Sequence, residues 1–363
     1  MIGNCAIVES KRIPVVDSAF VAACQQVADV RAAPRGAFSG LNRVYLTVFF
    51  PFRAMLNLIL LLLGSLLLLI LGAEALVRGA VGLARRLGIS ALAVGLTIVA
   101  FGTNSPELLV NARAAASGHA VIGLGNVVGA NISNVLLILG VAALVRPLKV
   151  RPELIRREVP LLIAVTVLLV LLLWDRTLSR FDGALLMGGA LAYLVAQVLI
   201  SRRALASDTA PLPTPPRTTA MSVLWLVGGL ALMLMGAWHL LGSSVAIALR
   251  VGMSEIVIGL TVVALGTSLP ELATSVVASI HGHDDVALGN VIGSSILNIL
   301  LILGVTALIQ PIEIEAFRTV DTVVLVSSAV VLIPMLHSDR RISRAEGALL
   351  VAGYVGYLVS LIP

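Results

Sequence analysis

The stretch GLTIVAFGTNSPELLVNARAAASGHAVIGLGNVVGANISNVLLILG, Gly95–Gly140, recurs as GLTVVALGTSLPELATSVVASIHGHDDVALGNVIGSSILNILLILG, Gly259–Gly304. The two align without a gap at an offset of 164 residues, with 25 of 46 positions identical. Leucine-rich sequence can imitate similarity, but it cannot place Gly-Thr-x-x-Pro-Glu-Leu and Gly-Asn-x-x-Gly in register twice. The chain is an internal duplication, and its fold has to accommodate the same element in both halves.

The medium of that fold follows from the apolar runs. Leu56–Leu71, Leu161–Trp174, Ala184–Ile200 and Val323–Leu336 carry no charge. Spanning a bilayer takes about 20 apolar residues per helix. With 59% hydrophobic and 12% charged residues, the chain has too little polar surface for a soluble protein of 363 residues. The runs are too long and continuous for a barrel. An all-α membrane protein is expected, with ten transmembrane helices near 56–77, 89–116, 120–144, 159–175, 182–201, 221–249, 254–280, 284–309, 320–337 and 345–362. Five spans per half is an odd number, so the second half enters the membrane in the opposite direction. Such inverted five-helix repeats place a transport site near the midplane, where the repeats meet.

Charge sorts the loops. If the first span begins outside, the inside loops hold Arg78, Arg85, Arg86, Arg146, Lys149, Arg151, Arg156, Arg157, Arg202, Arg203, Arg217, Arg340, Arg341 and Arg344. The outside loops then hold only Arg176, Arg180, Arg250 and Arg318. This bias favours that orientation, with the C-terminus outside. It also accounts for the net charge of +6 without a nucleic-acid partner. The expected organisation is a first repeat over 55–201, a linker over 202–220 containing the Pro-rich SDTAPLPTPPRTT, and a second repeat over 221–363. Residues 1–54 carry six basic residues and no sustained apolar run, and do not resemble a cleavable signal. Two readings stand: an upstream-extended start with Met55 the natural first residue, or a disordered or interfacial arm. Cys5 and Cys24 both lie in this segment and imply no disulfide or metal framework.

Two carboxylates fall deep in apolar spans, Glu107 and Glu271. An ionisable residue at that depth costs several kcal/mol unless compensated, about 3 on translocon-type scales, and marks function by default. Each follows a proline, Pro106 or Pro270, which removes an N–H and crowds the preceding turn. Helices 2 and 7 are therefore expected to break, freeing the carbonyls around Gly102 and Gly266 beside the hydroxyls of Thr103 and Thr267. Broken backbone is tolerated there only against protein or a polar cavity. Oxygen donors suit hard cations, and calcium takes six to eight of them. No His or Cys adjoins either glutamate, which argues against zinc or copper. Further oxygens come from Asn126, Asn131 and Asn134 on the third span, and from Asn290, Ser294, Ser295 and Asn298 on the eighth. A lone Asn in a membrane helix is more often interhelical glue than a ligand, which is the competing reading for Asn126, Asn131 and Asn290. Glycines 123, 125, 129, 289 and 293 allow close helix approach. Arg113 reads as a snorkelling or loop-facing charge, His119, His281 and His283 as solvated loop residues, and Glu74 and Glu255 as interfacial groups near helix ends.

These motifs, Gly-Thr-x-x-Pro-Glu followed by Gly-Asn-x-x-Gly-(Ser/Ala)-x-x-x-Asn and present twice, resemble the two α-repeats of the cation/calcium exchanger superfamily, its prokaryotic sodium/calcium branch above all. The resemblance covers about 55–363. It implies a multi-pass antiporter of the cell inner (plasma) membrane whose substrates are Ca²⁺ and Na⁺, with no prosthetic group and no obligatory protein partner. It places a central calcium position at Glu107, Glu271 and the backbone carbonyls of Thr103 and Thr267. Flanking positions draw on Ala100, Ala264, Ser268 and Ser294, and Asn134 and Asn298 complete a fourth. The first and sixth spans are expected to slide over the other eight. Three departures bear on the exchanged cation. Ala130 replaces a usual Ser, Asn104 stands where the second repeat has Ser268, and Asn298 stands where several sodium-coupled members have Asp. A calcium/proton antiporter using the same residues is the alternative, since a carboxyl group in low dielectric can exchange protons near neutral pH. An intramembrane enzyme using two acids, and a passive channel, are the readings from other classes.

Overall fold

In the computed structural model the described residues are 50–88, 90–206, 218–250, 264–313, 319–337 and 340–361. Almost all of them are helical. We number the helices α1 Phe50–Leu87, α2 Ala91–Thr103, α3 Ser105–Ala116, α4 Ala120–Val145, α5 Val159–Leu172, α6 Arg180–Ala206, α7 Thr219–Arg250, α8 Ala264–Thr267, α9 Leu269–Ile280, α10 Asp284–Ile309, α11 Thr319–His337 and α12 Arg344–Leu361. A helix or broken pair falls in each window expected from sequence. By length and apolarity, five of them can cross a membrane (α1, α4, α6, α7 and α10), or six if the bent pair α2–α3 is one span. The remaining helices are shorter or less apolar than that standard, so the count of ten is not reproduced by length alone. The chain is a multi-pass, all-helical membrane protein.

The expected linker is shorter than 202–220, because α6 continues to Ala206 and α7 begins at Thr219. Both additions are runs without Pro. The Pro-rich centre at 207–217, and residues 1–49, lie outside the described residues.

The described chain divides into two compact units: residues up to Leu67 with Met235–Gly266, and Leu68–Leu234 with Thr267–Pro363. In the first, hydroxyls bond their own helices, Ser65 to the Leu61 carbonyl at 2.5 Å and Ser243 to the His239 carbonyl at 2.7 Å, as expected for lone hydroxyls in apolar helices. The second unit holds every contact described below.

Within it the duplication extends well beyond 95–140. Short antiparallel ribbons tie each half to the other. Leu148–Lys149 pairs with Arg341–Ile342, and Thr177–Leu178 pairs with Ile312–Glu313. Adding 164 to the first segment of either ribbon gives the second segment of the other. Leu148, Leu178, Ile312 and Ile342 are all fully buried. The start of α6 is capped by Asp182, which accepts from the Ser179 N–H at 2.8 Å, and the start of α12 by Glu346, which accepts from the Ser343 N–H at 2.7 Å. These are equivalent capping boxes. Arg176 and Arg340, equivalent again, share a left-handed backbone with φ of 62° and 51°.

Helix packing obeys the same rule. A Cβ on Gly347 of α12 would lie 2.7 Å from the Gly140 carbonyl oxygen of α4. A Cβ on Gly183 of α6 would lie 3.0 Å from the Gly304 carbonyl oxygen of α10. Small residues thus let backbones meet where lipid supplies no hydrophobic drive. Gly289 and Gly293 of α10 likewise accept α2, with the Leu92 carbonyl oxygen 2.9 Å and the Leu96 carbonyl oxygen 2.5 Å from the added carbon. A Cβ on their counterparts Gly125 and Gly129 would meet nothing within 4 Å among the described residues. As a result α4 and α10 are the most buried spans, with 78% of the most apolar window enclosed in each. Only 17% is enclosed in α1, whose Leu60, Leu63 and Leu67 are exposed as a lipid-facing surface requires.

One feature breaks the symmetry. Arg146 lies 3.8 Å from Asp284, and Arg151 pairs with Asp285 at 2.7 Å. The offset positions are Gln310, Glu315, Ala120 and Val121, which cannot form such pairs. The basic partners gather at the end of the fold assigned to the inside by loop charge.

Gly347→Val is expected to destabilise the protein by about 1–3 kcal/mol, because the obstacle is backbone and cannot repack. Gly188→Ala on α6, where no atom lies within 4 Å, is expected to be neutral. Thermal unfolding in detergent distinguishes the two.

Candidate functional site

The breaks expected at the Pro-Glu pairs occur at equivalent residues. α2 stops at Thr103 and α3 begins at Ser105, bent by 46°, with Asn104 between them at φ −75° and ψ −3°. Ser268 stands between α8 and α9 at φ −88° and ψ 6°. Sequence reasoning put the prolines in helix interiors. Instead Pro106 and Pro270 occupy the first turn of a new helix, where a missing N–H costs nothing. The acids following them therefore lie at helix N-termini, where the peptide dipoles stabilise negative charge.

Glu107 and Glu271 are each 2% exposed, and their carboxyl groups lie within electrostatic range of each other. Glu107 Oε2 and both Glu271 oxygens have no hydrogen-bond partner. The Thr103 hydroxyl comes near Glu271 but is engaged elsewhere, donating to Asn290 Oδ1 at 3.1 Å with the Ala100 carbonyl at 3.3 Å as a second acceptor. Ser294 Oγ and Asn298 Oδ1 are also buried without a partner. Buried polar atoms are nearly always satisfied. Unpartnered buried oxygens, carboxylates among them, have the donor chemistry that a hard cation takes. Among the described residues no three His, Cys, Asp or Glu side chains cluster, so the oxygen set draws on hydroxyls and amides as well.

Hydrogen bonds within and between the repeats hold the surroundings together. Asn104 Nδ2 donates to the Ser294 carbonyl at 3.1 Å. Asn290 Nδ2 donates to the Glu271 carbonyl at 3.3 Å and to Ser275 Oγ at 3.1 Å. Asn131 Nδ2 donates to the Ser295 carbonyl at 3.1 Å. Asn134 and Asn298 donate to Ser295 Oγ at 3.3 Å and to Asn131 Oδ1 at 3.0 Å. Asn131 and Asn290 are therefore interhelical ties, as the competing reading held, whereas Asn126 is half-buried with Nδ2 unpartnered. Asn134 lies in, and Asn298 opens, π-helical stretches, Ser133–Ile138 and Asn298–Leu303, a widening common at functional sites.

The remaining expected residues divide. Ser268 is buried and makes no side-chain cap bond. Ala100 is buried, and its carbonyl already accepts from the Asn104 N–H at 3.0 Å. Thr267 is half-buried in α8. Ala264 lies in the other unit, and its side chain is outside the described residues. Two polar neighbours went unnoticed in the sequence. Asn111 is fully buried and donates to the Glu107 carbonyl at 2.7 Å, and Ser275 is fully buried beside Asn290. Each lies four residues after a glutamate, on the same helix face, which is the signal that could have found them.

Among the other charges, Arg113 and His119 are exposed as expected. Glu74 is not near a helix end. α1 runs on to Leu87, and Glu74 pairs with Arg78 and lies 3.3 Å from His281 Nδ1. Glu255 lies outside the described residues.

The motif arrangement agrees with the comparisons. A family model described as sodium/calcium exchanger protein matches residues 57–199 and 221–362. The chain belongs to the sodium/calcium exchanger family. It is 44% identical over 313 residues to the putative antiporter CaxA of Alkalimonas amylolytica, covering 84% of this chain and 98% of that one. It is 37% identical over 316 residues to inner membrane protein YrbG of Escherichia coli, covering 85% and 97%. A solved structure of the sodium-calcium exchanger NCX_Mj superposes with a TM-score of 0.74 at 30% identity, covering 85% of this chain and 99% of that one. This exchanger is thus a cation/calcium antiporter, a transporter rather than an enzyme.

Asn290→Leu is expected to destabilise the exchanger by about 2–3 kcal/mol, since it strips partners from Thr103, Ser275 and the Glu271 carbonyl together. The same change at the half-buried, singly placed Asn126 should cost less than about 1 kcal/mol. Unfolding in detergent measures both.

Proposed function

We propose that this exchanger moves calcium against sodium across a bacterial inner membrane by alternating access, through a site centred on Glu107 and Glu271. The observation that carries the reading is the set of buried, unpartnered oxygens at Glu107, Glu271, Ser294 and Asn298. Two carboxylates balance one divalent charge. When calcium leaves, they are left unpaired in low dielectric until other cations replace it. Competition for the same oxygens makes the loading states exclusive, which is what obligatory exchange requires. Thr103, Thr267, Ser268, Ala100, Asn104 and Asn134 complete the proposed ligand set through hydroxyl, amide or carbonyl oxygens. Two repeats, 55–201 and 221–363, each contribute one glutamate.

Sodium is supported by the likeness to NCX_Mj, described as a sodium-calcium exchanger and soaked with 2.5 mM Na⁺ and 0.1 mM Ca²⁺. A second reading, calcium against protons, is favoured by one observation. Ala130 offers a methyl where its counterpart Ser294 offers an unpartnered hydroxyl, so the first half lacks an oxygen for a monovalent ion.

Proteoliposomes loaded with sodium and diluted into sodium-free buffer should accumulate radioactive calcium. Accumulation that ignores sodium but follows an imposed pH gradient would establish the proton reading instead. Glu107→Gln and Glu271→Gln should each abolish calcium uptake, and uptake retained in both would refute the site. Ala130→Ser should lower the sodium concentration that half-saturates exchange.

A further inference from the structure

The orientation of the Asn298 amide is set from the opposite repeat. Its Nδ2 donates to Asn131 Oδ1 at 3.0 Å, while its own Oδ1 is buried and unpartnered. Asn131, 3% exposed, is fixed in turn because its Nδ2 donates to the Ser295 carbonyl at 3.1 Å. That bond leaves the Asn131 oxygen as the end offered to Asn298. At the offset positions the same relation holds with partners exchanged. Asn134 Nδ2 donates to Ser295 Oγ at 3.3 Å, and the Ser295 hydroxyl proton goes to the Val291 carbonyl of its own helix at 2.9 Å. Ser295 Oγ is thereby an acceptor, as Asn131 Oδ1 is.

This matters because the two ends of a primary amide are nearly the same shape and opposite in polarity. An amide that turns over presents N–H groups to a cation and repels it. Whichever neighbour accepts from the NH₂ decides which end remains for the ion. Neither Asn131 nor Ser295 is needed as a ligand for this; each acts through the asparagine it holds.

We propose that Asn131 is a positioning residue for cation binding, holding the Asn298 amide so that Oδ1 remains free for the ion, and that Ser295 orients the Asn134 amide by its contact to Nδ2. The inference rests on reading Asn298 and Asn134 as cation ligands. The arms are unequal, since Asn131 is anchored to the other repeat and Ser295 to its own helix, and the bond to Asn298 is the shorter.

The test is a cycle of substitutions in reconstituted, full-length protein, reading calcium KM and kcat separately. Asn131→Leu should raise KM about five- to tenfold, the loss of one oriented hydrogen bond, with kcat within about twofold. Asn131→Ser, which keeps a hydroxyl acceptor, should recover much of the affinity. Asn298→Ala should raise KM by a similar factor, and adding Asn131→Leu to it should produce no further rise. A KM unchanged in Asn131→Leu while raised in Asn298→Ala would overturn the inference, as would factors that multiply in the double variant. If Asn298→Ala leaves KM unchanged, the ligand reading of Asn298 falls, and the inference with it. Should Asn131→Leu fail to assemble, Ser295→Ala with Asn134→Ala runs the same cycle on the other arm, where a smaller rise that again does not multiply is expected.

Discussion

Two carboxylates buried at 2% exposure inside an apolar helical protein are the constraint around which the other features arrange themselves. Carboxylate oxygens without hydrogen-bond partners in low dielectric are tolerable only if positive charge visits them. The helix breaks at Asn104 and Ser268 put each acid at a helix N-terminus, where dipoles offset part of the cost. The amides of α4 and α10 spend their N–H groups on carbonyl, hydroxyl and amide oxygens around them, and the Asn298 oxygen is left without a partner. The result is an interior in which the carboxylates, Ser294 Oγ and Asn298 Oδ1 keep oxygens without partners.

The glycines and the amides make one architecture. Close approach of α10 to α2 at Gly289 and Gly293 brings Asn290 within reach of Thr103, and Ser294 within reach of Asn104. Were side chains larger there, the cross-repeat bonds at about 3 Å would be out of range. Packing in this protein therefore decides which polar groups of the two repeats can meet.

Much of this was legible in the sequence. The repeat, the two glutamates, the two breaks and the role of Asn131 and Asn290 as ties all follow from residue type and spacing. What could not be read were features set by backbone geometry. The π-helical stretches that begin around Asn134 and Asn298 have no residue signature, since Ser-Asn-Val-Leu-Leu-Ile reads as ordinary helix. The prolines were misplaced because a Pro in an apolar run looks the same whether it kinks one helix or opens another. Glu74 reads as a helix-end residue because the apolar signal fades near Val77, whereas α1 continues for another ten residues to Leu87. Buried Glu158, whose two oxygens each accept from Gln197 Nε2 at 2.9 Å, escaped notice because it borders a basic loop in sequence.

The ribbons and glycine seams carry a consequence for the origin of the fold. Each half finishes its edges on the other: Leu148 on Ile342, Leu178 on Ile312, α12 on α4 and α6 on α10. A single half would leave these surfaces bare, and the complementary surface it lacks is its own, turned upside down. An unduplicated ancestor could have satisfied them by pairing two identical chains inserted in opposite directions, an isologous dimer across the membrane plane. Fusion of two such genes would free each copy to change alone. The ion pairs of Arg146 and Arg151, found at one end only among the described residues, are the kind of difference that such a dimer could never have fixed.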